Sequence, residues 1–144
     1  MLTRRASLRI VKQVNKLEHI TGAIRSPLPF SPAVRAGGFV FVSGMASADE
    51  NGKIILDTFE NEARRTYQNL ARVLASAGLS FSDVVQVRCY LKHQEDWDAH
   101  NRIYREFFSE PYPARTTLVG CLGQVKYEVD LIAYAGENSP AEGK

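Results

Sequence analysis

The sequence predicts an α+β fold in which two helices pack on one face of a single sheet. Two observations lead to this class. Apolar residues recur at helical spacing in two long stretches, and apolar or β-branched runs lie before, between and after these stretches. The predicted order is strand, strand, hairpin return, helix, strand, helix, strand, strand, which is an α+β layout.

A proline-rich segment, Ser26–Pro32, precedes the first strongly apolar strand. Its three prolines exclude a helix interior or a central strand, so we expect an extended segment with Phe30 as its one large aromatic residue. Gly37 and Gly38 then turn the chain into Phe39–Val42. The unbroken apolar character of this run is typical of a strand that is covered on both faces.

The first helix follows a hairpin signal at Asn51–Gly52, from which residues 53–56 are expected to return. Asp57 with Glu60 forms a capping-box pattern, and Gly78 provides the C-terminal stop. The apolar residues at helical spacing are Phe59, Ala63, Leu70, Leu74 and Ala77.

A strand at 84–91 and a second helix at about 95–108 come next. The strand is expected to place Val85, Val87, Cys89 and Leu91 on one face. Trp97, Tyr104 and Phe108 form the apolar stripe of the helix. Asn101 falls on this stripe, and we expect its amide to be hydrogen-bonded to a neighbouring backbone, since buried amides require partners.

Arg115 lies at the start of the strand that follows Pro113. Its position beside the backbone leaves the guanidinium little freedom, and this planar group can bind a small carboxylate in bidentate fashion. A surface or interface ion pair is the alternative. The strand is expected over 115–122, and the last strand, 127–135, should alternate between two faces. Glu128, Asp130, Ile132 and Tyr134 share one of these faces.

Composition excludes several classes of protein. The net charge of +2 and pI near 8.6 are too mild to indicate a nucleic-acid-binding protein. No apolar run has the roughly 20 residues that a membrane span needs. The common metalloprotease, P-loop, dinucleotide-binding and serine-hydrolase motifs are absent from the sequence, and its three histidines lack metal-ligand spacing.

The two cysteines and the chain termini complete the prediction of a single domain at 24–136. Cys89 and Cys121 are expected to be buried thiols rather than a disulfide or metal pair, which favours a reducing, cytoplasmic location. Residues 1–23 form a basic arm or strand extension, with an organelle-targeting segment as the alternative. Residues 137–144 form a polar tail.

The strands are too apolar for the second face of the sheet to meet water. A symmetric oligomer would cover that face, and the sequence therefore predicts self-association.

Four stretches resemble, in order and spacing, the Rid family of enamine/imine deaminases, also called the YjgF or L-PSP family. The resemblance spans roughly Ile24 to Ala135, with further matches at 69–78 and 127–133. The four stretches are Phe30–Gly37, Phe41–Gly44, Asn101–Phe108 and Pro113–Thr116.

This resemblance implies a chorismate-mutase-like protomer with a mixed sheet, assembled as a homotrimer with active sites between subunits. It implies hydrolysis of 2-enamine or 2-imino acids to 2-keto acids and ammonia without a cofactor or metal. Arg115 would bind the substrate carboxylate, and Glu128 would order the attacking water and transfer its proton. The other implied substrate-binding residues are Phe30, Ser43, Gly44, Met45, Asn101 and Thr117.

The chain departs from the family pattern at several of these positions. Phe30 stands where a tyrosine is usual, Met45 where a glutamine is usual, and Thr117 where a cysteine is common. The segment between Arg115 and Glu128 is about two residues short. A small-carboxylate-binding or regulatory protein on the same scaffold, and an RNA-cleaving or translation-inhibiting protein, are therefore alternative functions.

Overall fold

The structure, a computed structural model, describes residues 16–137. Of the basic arm predicted at 1–23 and the polar tail predicted at 137–144, residues 1–15 and 138–144 lie outside this range, whereas residues 17–20 form the first strand. No helix within the described range is long and apolar enough to span a bilayer. The helices are α1 (Phe59–Ser76) and α2 (Trp97–Phe107). The strands are β1 (Leu17–Ile20), β2 (Ala33–Ala36), β3 (Phe39–Ala46), β4 (Val84–Leu91), β5 (Ala114–Val119) and β6 (Tyr127–Tyr134).

All six strands form one sheet in the order β1-β2-β3-β6-β4-β5. Among the strands of residues 16–137, only β4 and β5 run parallel, and α2 provides the crossover between them that a parallel pair requires. The last strand, β6, lies between β3 and β4 and pairs antiparallel with both. The mixed sheet expected from the resemblance is therefore confirmed.

Both helices pack on the same face of this sheet, as predicted. The alternation of β6 decides which face is covered: Tyr127, Val129, Leu131 and Ala133 are buried, whereas the residues between them are partly or largely exposed. From α1, Tyr67 reaches Tyr127, and from α2, His100 reaches the same hydroxyl. The hydrophobic core is thus a single layer between the helices and this sheet face.

The second sheet face has no covering element in residues 16–137. Phe39 and Phe41 are 43% and 46% exposed, whereas Val40 and Val42, which alternate with them, are buried. The prediction that 39–42 is covered on both faces is therefore not met within one chain. The other large apolar residues exposed on this face are Leu17, Val85, Leu118 and Tyr134.

Several local predictions were wrong. A register shift between Val84 and Gln86 makes Val85 the extra residue of a β-bulge, so Val84 joins the buried face while Val85 is exposed. The hairpin return at 53–56 is reduced to one isolated bridge, between Ala48 and Ile54. The strand expected over 115–122 ends at Val119, and Cys121, in the loop that follows it, is exposed.

The two ends of α1 show one correct prediction and one error. The N-cap is Thr58 rather than the predicted Asp57. The Thr58 hydroxyl accepts a hydrogen bond from the backbone N–H of Asn61. At the other end Gly78 has a φ of 73°, and the Gly78 and Leu79 amides donate to the Ala75 and Leu74 carbonyls. This is the predicted glycine stop, in the form of a Schellman motif.

Glu62, in the first turn of α1, fixes the turn that leads into β6. Its carboxylate is fully buried and accepts hydrogen bonds from the backbone amides of Asp57 and Lys126, each at 3.1 Å, and from Lys126 Nζ at 3.0 Å. The start of α1 and the start of β6 are thereby joined through one side chain.

Replacing Glu62 by Ala should be strongly destabilising. The change leaves two amides without partners and the Lys126 ammonium without its carboxylate, so we expect a loss of about 3–5 kcal/mol in the free energy of unfolding. The measurement is urea unfolding at one fixed protein concentration. Glu106→Ala is the matched control: it breaks the exposed pair with Arg64 and should cost no more than about 1 kcal/mol. Equal losses in the two variants would contradict this role for Glu62.

Candidate functional site

A cleft opens where the end of α2 meets the start of β5. Its volume is about 180 Å³. The residues that line it are Asn101, Tyr104, Arg105, Tyr112, Pro113 and Arg115. Pro113 directly precedes β5, so Arg115, the second residue of the strand, projects from a fixed backbone toward α2.

The Arg115 guanidinium is held by α2 without being neutralised. Its Nη2 donates to Asn101 Oδ1 at 2.9 Å, and its Cζ lies 4.7 Å from the centre of the Tyr104 ring. No carboxylate within residues 16–137 forms an ion pair with it. An oriented guanidinium with unused donors at a cleft can bind a carboxylate. Asn101 therefore binds this side chain and not a neighbouring backbone, contrary to the sequence prediction.

Thr117 follows Arg115 on the same side of β5 and contacts a residue that sequence reasoning missed. Its Oγ1 lies 3.2 Å from Nε2 of His100, which is fully buried, and His100 Nδ1 lies 2.7 Å from the Tyr127 hydroxyl. Burial, with a smaller contribution from the positive charge of Arg115, lowers the pKa of His100 to about 4. His100 is therefore neutral at pH 7.

The signal for His100 was present in the sequence. His100 lies four residues before Tyr104 on the apolar stripe of α2, which is a position for a buried residue. Metal-ligand spacing, the criterion applied to the histidines, does not detect a histidine that is bound by hydroxyl groups.

A second group of predicted site residues lies on the open face, around a bulge in β3. Ser43 and Gly44 together oppose the single residue Asp130 between the β3–β6 pairs Val42↔Leu131 and Met45↔Val129. The Ser43 amide donates to the Pro32 carbonyl at 2.9 Å, and its hydroxyl donates to the Ser31 carbonyl at 2.6 Å. These bonds fasten the segment that carries Phe30, which is 45% exposed, beside the bulge.

Gly44 makes room for Glu128. A Cβ atom at position 44 would collide with Glu128 Oε1, so a larger residue there would displace this carboxylate. Met45, by contrast, is buried in the core on the helix-covered side. The structure therefore brings Ser43, Gly44 and Glu128 together and leaves Met45 apart from them.

The environment of Glu128 favours its protonated form. Partial burial raises the pKa of the Glu128 carboxyl, and the negative charge of Asp130, two residues along the same face, raises it further. Asp130 is itself held by Arg88 Nε at 2.7 Å and by the Tyr90 hydroxyl at 2.8 Å. Tyr90 lies directly opposite Glu128 in the β4–β6 register.

The two groups of residues do not meet within one chain. Arg115, Asn101 and Thr117 lie on the helix-covered side at the β5 edge, whereas Glu128 projects from the open face. No cluster of three or more His, Cys, Asp or Glu residues in the described part of the chain is arranged to hold a metal ion.

Comparison with known proteins identifies the family of this chain. The family model described as Endoribonuclease L-PSP matches residues 21–135. The chain belongs to the L-PSP, or Rid, family. Among Rid relatives, a RutC family protein of Pyrococcus horikoshii is 36% identical over 109 residues, which are 74% of this chain and 86% of that protein.

Two further Rid relatives carry more specific names. A 2-iminobutanoate/2-iminopropanoate deaminase of Dermatophagoides farinae is 32% identical over 91 residues, covering 62% of this chain and 71% of that one. The crystal structure of RidA from an Antarctic Psychrobacter matches with a TM-score of 0.75 and 27% identity, over 81% of this chain and 98% of that chain. Family and fold are thus established.

Neutralising Asp130 should lower the pKa of Glu128. In Asp130→Asn we expect the Glu128 pKa to fall but to stay above its ordinary value, because burial, the larger cause, remains. Titration of the Glu128 carboxyl carbon by NMR measures this shift. Asp98→Asn, the same change on the exposed side of α2, should leave it unaltered. A Glu128 pKa that is the same with and without the Asp130 charge would contradict this assignment.

Proposed function

We propose that this protein hydrolyses reactive 2-imino and 2-enamino acids to 2-keto acids and ammonia, without an organic cofactor or metal. The observation that carries the proposal is the Arg115 guanidinium, oriented by Asn101 and Tyr104 and unpaired with any carboxylate of the described residues, at the mouth of a cleft of about 180 Å³. The name of the Dermatophagoides farinae relative, a 2-iminobutanoate/2-iminopropanoate deaminase, supports the same chemistry.

In the proposed reaction Arg115 binds the substrate carboxylate, and Glu128 acts as the general base and general acid. Glu128 takes one proton from a water molecule as the water oxygen bonds to C2 of the imine, and it passes that proton to the imine nitrogen, which gives a carbinolamine. Glu128 then moves the proton of the new C2 hydroxyl to the nitrogen as the C–N bond breaks and the C=O bond forms, and ammonia leaves. An enamine first gains a proton at C3 and loses one from its nitrogen to become the imine. A carboxyl whose pKa is raised towards neutrality is suited to accept and return a proton.

We further propose that the complete site combines Arg115 of one chain with Glu128 of another. Arg115 and Glu128 lie on opposite sides of the sheet in one protomer, and the open face around Glu128 exposes Phe39, Phe41 and Leu118. A second copy packed on this face would bury the apolar residues and bring an Arg115 cleft to Glu128. A ring of three copies, as the Rid resemblance implies, is the proposed assembly.

We expect this reaction to take place in the cytoplasm. Cys89 and Cys121 are both free thiols, and free thiols are typical of proteins in reducing compartments.

Non-catalytic binding of a small carboxylate is the second candidate function, and the observation that favours it is Phe30. Position 30 lacks a hydroxyl that could contact water or substrate, whereas the Arg115 cleft would still bind a carboxylate. A third possibility is suggested by the family description, which names an endoribonuclease. The net charge of +2 does not favour RNA as the ligand. Salt-dependent RNA binding would distinguish this third function.

Arg115→Ala should lower the turnover efficiency for imine hydrolysis. Loss of a charge-assisted bidentate pair predicts a decrease of about 30- to 1000-fold. Arg115→Lys should not restore the rate, because an ammonium cannot reproduce the two parallel hydrogen bonds. The assay is ammonia release from imines generated in place by an amino-acid oxidase.

Arg64→Ala is the matched control for Arg115→Ala. It removes an arginine whose bidentate pair with Glu106 is on the surface, and it should leave ammonia release unchanged. Wild-type rates in Arg115→Ala, with assembly intact by light scattering, would contradict the carboxylate-binding role. A wild-type protein that binds pyruvate but releases no ammonia would identify the non-catalytic alternative.

Mixing two inactive variants tests the shared site. Glu128→Gln removes the base and should lower the rate about 10²- to 10⁴-fold on its own. When Arg115→Ala and Glu128→Gln chains are unfolded, combined equally and refolded, about a quarter of the sites in a three-fold ring should contain both native residues. Ammonia release should therefore return to about a quarter of the wild-type rate. Each variant refolded alone is the control, and a mixture as inactive as its components would show that the two residues do not meet between chains.

A further inference from the structure

A chain of buried polar groups runs from the core to the surface of β5. The hydroxyls of Tyr67 and Tyr127 are 2.5 Å apart, Tyr127 is 2.7 Å from His100 Nδ1, and His100 Nε2 is 3.2 Å from Thr117 Oγ1. Tyr67, Tyr127 and His100 are fully buried, whereas Thr117 is partly exposed. The proposed reaction leaves these buried groups without a role.

The protons in such a chain can point in one of two directions. Neutral His100 carries a single ring proton, so a Tyr127 hydroxyl that donates to Nδ1 places that proton on Nε2, which faces Thr117. If the protons point inward, the Tyr67 hydroxyl must donate to Cys89 Sγ, a weak acceptor 4.0 Å away. If they point outward, Tyr67 donates to Tyr127, Tyr127 to His100 Nδ1, and His100 Nε2 to Thr117.

The outward direction satisfies every buried donor with an oxygen or nitrogen acceptor at 2.5–3.2 Å. The inward direction leaves a fully buried phenol with only the distant thiol, and an unsatisfied buried donor is unfavourable. The outward arrangement is therefore favoured, and in it the Thr117 proton is the one that is not used inside the protein.

We infer that His100 and Tyr127 are positioning residues that direct the Thr117 hydroxyl as a hydrogen-bond donor towards the ligand of Arg115. The inference rests on the proposed function, since the ligand in question is the carboxylate that Arg115 is proposed to bind. Arg115 and Thr117 lie on one side of β5, about 7 Å apart along the strand. Adjacent residues of α2 hold them, because Asn101 binds Arg115 and His100 binds Thr117.

The tautomer of His100 is the first test. In the full-length protein, 1H–15N NMR of His100 should show the proton on Nε2 and none on Nδ1. Tyr127→Phe removes the donor to Nδ1, so the preference for one tautomer should be lost. Tyr67→Phe is the matched control: it removes an equally buried hydroxyl but leaves the donor to Nδ1, and the Nε2 tautomer should persist. A proton on Nδ1 in the wild-type protein would overturn the inference.

The second test asks whether His100 acts through Thr117. Pyruvate, the keto acid that 2-iminopropionate would give, is the probe, and calorimetry measures its affinity. Thr117→Val keeps the branched shape without the hydroxyl, and it should weaken binding about tenfold, as does the loss of a hydrogen bond to a charged group. His100→Phe should weaken it by a similar factor. The double variant should bind no more weakly than Thr117→Val alone, because the two changes remove the same interaction.

Each outcome of this cycle is decisive. If the effects of His100→Phe and Thr117→Val multiply, His100 has only a structural role and the inference fails. If His100→Phe does not fold, Tyr127→Phe takes its place in the cycle with the same expectation. Wild-type protein that binds no pyruvate would overturn the inference, whereas wild-type protein that binds pyruvate without releasing ammonia would count against the deaminase activity alone.

Discussion

The hydrogen bond between Tyr127 and His100 joins the parts of the protomer that position the Arg115 cleft. Tyr127 belongs to the central strand β6, His100 to α2, and the Tyr67 and Thr117 groups at either end of the chain to α1 and β5. Because the two tyrosine hydroxyls and the imidazole are buried, each must find a partner, and the bond from His100 to Thr117 holds α2 against β5. The orientation of Arg115 through Asn101 follows from that fixed position.

The strict alternation of β6 separates structural from chemical roles. One side of the strand contributes Tyr127, Val129, Leu131 and Ala133 to the core, and the other presents Glu128 and Asp130. The bulge at Ser43–Gly44 shifts the register between the buried pairs Val42↔Leu131 and Met45↔Val129, and it gives Glu128 space beside the backbone of β3. A bulge next to a functional carboxylate is a common use of this irregularity.

The sequence predicted the architecture better than the contacts within it. Helical and strand periodicities located both helices, the alternation of β6 and the glycine stop at Gly78, because burial on one face dictates these patterns. They did not reveal the bulge at Val85, since either of two adjacent valines can serve as the buried one. The hydrogen bonds of His100 were not predicted, because its partners, Tyr127 and Thr117, are distant in sequence and contact it only in the folded protein. Arg115 and Glu128 were named as candidate catalytic residues from the sequence. That they lie on opposite sides of the sheet became clear only from the structure.

Glu128 also shows how a functional group can oppose stability. Its pKa is raised in the folded state, so over the range between its ordinary and its raised pKa the folded protein binds more protons than the unfolded chain. The contribution of Glu128 to stability is therefore favourable at low pH and is lost as the pH rises through this range. At neutral pH the ionised carboxylate opposes folding, while the buried Glu62–Lys126 pair fixes the start of the same strand. Glu128 destabilises the fold at neutral pH, and Gly44 makes room for its carboxyl group. A catalytic role explains its presence better than a packing role does.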